Sequence, residues 1–194
     1  MKLTFKPWVG KKYYKQKTKI LLLGESHYTG DNPYDSNLTI ETVSEFLDGH
    51  GYKFFAKMSE AFAATDDREF WETVAFANLI QNTLYDPRSQ PTEKDKATIK
   101  YSFPVLLDEL CPQKVVVFSL RTWIHWLPDL GEEKVGSIKV GKRHSNVWKY
   151  VNSGGNSHAI GVCHASRMYG RNGTPEEWGD LIRKFLLNEW DNND

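Results

Sequence analysis

Cysteine is scarce: Cys111 and Cys163 are the two among 194 residues, far apart and at no zinc or cluster spacing. A disulfide scaffold is excluded, and a reducing compartment is the expectation. An excess of one charge is also missing, since 25 Lys and Arg balance 25 Asp and Glu. No global field therefore pulls the protein to nucleic acid or to a membrane. Basic residues do cluster locally, at Lys2 to Lys19 and at Lys139 to Lys149. Long apolar runs are absent as well. Nothing approaches the ~18 consecutive apolar residues of a membrane span, and the N-terminal residues lack a signal-peptide core. A cytoplasmic location with no membrane partner is expected. No repeat or low-complexity linker marks a second domain, so one domain over residues 1–194 and a monomer are expected.

What is present is an alternation of apolar runs and amphipathic stretches. "KILLLG" at residues 19–24, "VAFANLI" at 74–80, "KVVVFS" at 114–119 and "SHAIGVCH" at 157–164 read as four buried strands. "NVWKYV" at 146–151 reads as a strand or one arm of a hairpin. Helical periodicity covers 39–50, 53–64 and 67–74, and again 92–110, where Pro104 should kink or restart the helix. A short helix carrying Trp123 and Trp126 follows the third strand. The last helix has Thr174 as cap, Pro175 in its first turn and Glu177 for a capping box. Its apolar face runs through Trp178, Leu181, Ile182, Phe185, Leu186 and Trp190. Strands alternating with helices mean an α/β fold with a mostly parallel sheet and helices on both sides.

In open sheets of this kind ligands bind beyond the carboxyl ends of the strands. The polar residues after each apolar run are therefore the candidates. The first strand is followed by Glu25, Ser26, His27 and Tyr28; the second ends with Asn78 and Gln81; the third leads to Ser119 and Arg121; the fourth to His164, Ser166 and Arg167. A carboxylate can stabilise a cation or orient water, an amide can read a donor–acceptor pair, and an imidazole can hold developing negative charge. Each residue also has a plainer reading. Glu25 could cap a helix or pair with a cation, His27 suits a structural place, and Asn78 is an ordinary strand-end turn residue.

The ordered trio "GESHY", "FANLIQ" and "HASR" resembles the uracil-DNA glycosylase superfamily. That family has a glycine-led acidic motif after the first strand, an asparagine at the end of a second, and a His-Pro-Ser-type motif after the last. The resemblance implies a three-layer α/β/α sandwich with a central, mostly parallel four-stranded sheet. It also implies DNA as partner, with uracil or another damaged base flipped into a strand-end pocket. Glu25 would stabilise an oxocarbenium-like cation or orient water, and His164 the departing base anion. Asn78 would read the base edge, Tyr28 would wall the pocket beside C5, and Ser26 and Tyr34 would contact the base. Ser166 would hold a phosphate, and Arg167 or Met168 would wedge into the emptied stack. No metal or cofactor is implied, because a cluster would need four cysteines. Two departures are plain: Ser26 stands where some branches have Asp, and His27 and Ala165 stand where the family has Pro.

Two other readings fit part of this pattern. One keeps the fold as a catalytically silent module binding nucleic acid or a nucleobase; the neutral charge and Ser26 favour it. The other takes Gly24-Glu25-x-His27 as the opening of an esterase or metal-binding hydrolase.

Overall fold

The computed structural model describes residues 2–131 and 133–192. Four strands lie at its centre, side by side and parallel. They are β2 (Ile20–Gly24), β4 (Ala75–Asn78), β6 (Lys114–Val117) and β9 (Gly155–Gly161), ordered β4-β2-β6-β9. The four apolar runs of the sequence thus form one contiguous parallel block. The sheet does not stop there. Beyond β4 it gains the short antiparallel β1 (Trp8–Val9). Beyond β9 it gains β8 (Arg143–Asn152), β7 (Glu133–Val140) and β10 (Asp191–Asn192), all antiparallel, for eight strands in a mixed sheet. A four-stranded sheet is therefore too small a description. The hairpin partner β7 is half-polar and fully buried at Gly136 and Ile138 alone, so it lacks the apolar run that betrays a buried strand. β3 (His27–Tyr28) and β5 (Thr83–Leu84) pair with each other apart from the main sheet.

The period-2 geometry of a strand sends alternate side chains to opposite faces. One face of the block carries Leu22, Phe76, Val116 and Ile160. Packed on it are α1 (Leu38–Leu47), α2 (Lys53–Ala61), α3 (Asp67–Trp71) and α7 (Pro175–Leu186), through Val43, Phe55, Trp71 and Phe185. The other face carries Leu21, Leu23, Ala77, Val115, Val117 and Ala159. It is covered by α5 (Ile99–Leu110) and α6 (Leu120–His125), through Phe103, Leu106, Leu107 and Trp123. Helices cover both faces, as an all-apolar parallel strand demands.

Local signals were obeyed unevenly. Thr174 and Glu177 form the expected capping box on α7, with Pro175 at its start. Trp190, placed by periodicity on that helix, lies past its end at Leu186. The expected break at Pro104 falls elsewhere. α4 (Glu93–Ala97) ends and α5 begins at Thr98, while Pro104 sits within α5 on the solvent side. The carbonyl that Pro104 leaves unpaired belongs to the exposed Lys100, so water can serve it. At Thr98 the hydroxyl instead donates to the Asp95 carbonyl and accepts the Gln81 backbone N–H, which fixes the break.

Candidate functional site

A cleft of about 820 Å³ opens at the carboxyl ends of the parallel block. Each central strand delivers a polar group to it within three residues of its end. Glu25 follows β2, Asn78 ends β4, Ser119 and Arg121 follow β6, and His164 follows β9. Ser26, Tyr28, Ser166 and Arg167 line the same cleft.

Glu25 is 6% exposed and heavily bonded. Its Oε2 accepts from the Ser119 hydroxyl at 3.0 Å, the Thr122 hydroxyl at 3.0 Å and Arg121 Nε at 3.2 Å. Its Oε1 accepts from Arg121 Nη2. Burial by itself raises this carboxyl, but the Arg121 guanidinium and the two hydroxyls outweigh it and hold the group below its ordinary range. Ser119 also accepts the Thr122 backbone N–H and so starts α6 while facing Glu25.

Asn78 is 6% exposed, and among the described residues its carboxamide has no hydrogen-bond partner. It rests on Gly24, where a Cβ would lie 2.2 Å from Asn78 Oδ1. The glycine that ends the first apolar run thus makes room for the amide beside it. Ser26 is 8% exposed, and its hydroxyl has no partner either; nor has the Thr29 hydroxyl, on the same wall. Three polar groups on one cleft without partners are unusual, because buried polar groups are ordinarily paired.

His164 stacks on Phe54 with ring centroids 4.7 Å apart, and its Nδ1 lies 2.9 Å from Ser166 Oγ. Its Nε2 has no partner among the described residues. Burial pushes its pKa down to about 4, aided by the Arg167 charge, so the ring is neutral near pH 7. His27 takes the structural place: it is buried, bonded through Nε2 to Thr39 at 2.8 Å and edge-on to Phe5. Burial lowers its pKa to about 4 as well.

Three expected residues stand elsewhere. Tyr34 is not among the residues lining the cleft; its ring leans on Phe5, 5.6 Å between centroids. Met168 cannot act as a wedge, because it is 2% exposed and packed in the apolar core under α2 and α7. The short helical turn at Ala165–Arg167 rotates Met168 inward and Arg167 outward. Gln81 turns away from the cleft, accepting the Thr4 and Phe5 backbone N–H groups and donating to the Asn78 carbonyl. Conversely, Thr122, Gln90 and Phe54 contribute without a sequence signal. Arg121 had one, its place just after β6, but nothing local announces its partner.

Among the described residues no group of three or more His, Cys, Asp and Glu is placed to hold a metal ion, and no helix is long and apolar enough to cross a membrane. No family model matches the chain, and no curated protein matches it.

Proposed function

We propose that the cleft binds a flipped nucleobase and that the protein is a DNA glycosylase-like hydrolase, acting on uracil or another damaged base in a three-layer sandwich of the glycosylase type. The observation that carries this reading is the convergence of Glu25, Asn78 and His164, with the Asn78 amide and His164 Nε2 unbonded among the described residues, at the carboxyl ends of four parallel strands. The unpartnered Asn78 amide suits a base edge that presents both a donor and an acceptor. Tyr28 stands on the short β3 at the rim, where it would border the base. The ionised Glu25 would stabilise the oxocarbenium-like sugar or orient one water toward it. His164, neutral and with Nδ1 turned to Ser166, would offer Nε2–H to the base anion as it departs. Ser166 and Arg167 are exposed at the mouth, where a phosphate backbone would pass.

The test is base release from single- and double-stranded oligonucleotides carrying uracil or other damaged bases. The parent should release at least one base, and Glu25→Gln, Asn78→Ala and His164→Ala should each depress the rate. The silent binding module is the second reading. It is favoured by Ser26, a hydroxyl in the place of a family carboxylate. Retention of an oligonucleotide without release of any base would select it.

A further inference from the structure

Glu25 and Arg121 lie 96 residues apart and meet in a fork, Nε to one carboxylate oxygen and Nη2 to the other. The guanidinium is itself held from two more sides. Its Nη1 donates to Gln90 Oε1 at 2.5 Å, and its Cζ lies 5.9 Å from the Trp126 ring centre. A carboxylate has about four acceptor positions, two on each oxygen. Oε2 is filled, with Arg121 Nε on one position and the Ser119 and Thr122 hydroxyls, themselves 2.9 Å apart, crowding the other, whereas Oε1 takes only Arg121 Nη2. Open acceptor capacity therefore remains on Oε1 alone.

We propose that Arg121 is a positioning residue that, with Ser119 and Thr122, holds Glu25 as a fixed, ionised carboxylate with one acceptor position left for a water or ligand. Such a group stabilises positive charge and aims a water, but it is a poor proton acceptor, because its donors all favour the anion. The catalytic use of this carboxylate rests on the glycosylase reading; its state in the free protein does not. The titratable and charged groups around the cleft are Arg121 on α6, Cys163, His164 and Arg167 after β9, His27 and Tyr28 on β3, Glu41 and Glu45 on α1, and Tyr52 before α2. Of these, Arg121 is the cation bonded to Glu25.

The experiment is a carbon-13 NMR titration of side-chain-labelled glutamates in the free protein, with Glu25→Gln assigning the signal. Parent, Arg121→Met, Arg121→Lys and Thr122→Val are compared, each checked for folding by circular dichroism. The Glu25 midpoint should lie below the ordinary carboxylate range in the parent. It should rise most in Arg121→Met, less in Arg121→Lys, which keeps the charge but loses the fork, and least in Thr122→Val. If Arg121→Met does not fold, the other two variants decide. Unchanged midpoints in the folded variants overturn the proposal. In base release, the acidic limb of the pH profile should move up together with the midpoint; a shifted midpoint with an unmoved limb reduces Arg121 to a structural role and overturns its positioning one. A parent that releases no base removes the glycosylase reading, while the titration still decides what Arg121 does to Glu25.

Discussion

The two ends of the parallel block differ in how many buried polar groups they leave without a partner. At the amino end, Lys114 opens β6 at 4% exposure. Its Nζ donates to the Phe185 carbonyl at 2.9 Å and to Asn188 Oδ1 at 2.7 Å, and the Phe185 and Trp190 rings lie 4.3 and 4.5 Å away. A buried cation is tolerable only when so well surrounded. At the carboxyl end Glu25 is gripped as firmly, but among the described residues the side chains of Ser26, Thr29 and Asn78 are left without partners, and His164 uses one nitrogen of two. The chain can evidently satisfy a buried polar group when packing requires it. Leaving several unsatisfied on one cleft is the mark of a surface shaped for something other than the chain itself.

That contrast can be broken in graded steps. The largest effect should come from Phe185→Ala, which removes a fully buried ring and one wall of the Lys114 enclosure. It should cost about 3–5 kcal/mol in urea melts while leaving any ligand affinity of the folded fraction unchanged. Next, His164→Ala should slow base release roughly 10²–10³-fold with little change in melting temperature, since it removes a donor aimed at the ligand. A comparable loss of stability would instead mark His164 as a packing residue.

Acid and base should then separate the two ends. Burial lowers Lys114 to about 8 from an ordinary 10.5, so between those values the unfolded chain binds more protons. Stability should therefore rise with pH from about 8 to 10.5, and Lys114→Met should flatten that slope in urea melts. Burial lowers His27 and His164 to about 4 from 6.5, so stability should fall as pH drops through that window. His27→Gln should remove part of that fall, and an equally steep acid limb in the variant would contradict this origin. The smallest effect belongs to Ser26→Ala. Deleting an unpaired hydroxyl should keep stability within about 1 kcal/mol of the parent, yet weaken oligonucleotide binding if that hydroxyl meets the ligand.

The legibility of the fold follows the depth of each strand. β2, β4, β6 and β9 are covered on both faces and read as apolar runs, so they stand out in the sequence. β7 has a half-exposed pattern, and β1, β3, β5 and β10 have two residues each, too few for any period to appear. The break at Thr98 was hidden because it depends on a hydroxyl reaching Gln81, 17 residues back, whereas the visible Pro104 is harmless on a solvent face. In the site, Glu25, Asn78 and His164 were legible because the end of a buried strand is a local feature. Tyr34 and Met168 lie off the cleft lining, because proximity in sequence to a strand end does not set the direction of a side chain.

The sequence by itself determined the α/β alternation, the four central strands, the cap of the last helix and the set of polar residues at the strand ends. These are properties of burial and of short-range backbone chemistry. Only the tertiary structure decided that Arg121 and Thr122 grip Glu25, that Gly24 makes room for the Asn78 amide, and that Ser26 keeps an unused hydroxyl. Each of these joins residues from separate strands or helices. Partner choice between distant side chains is set by how the sheet stacks its neighbours, and no local stretch of sequence carries that information.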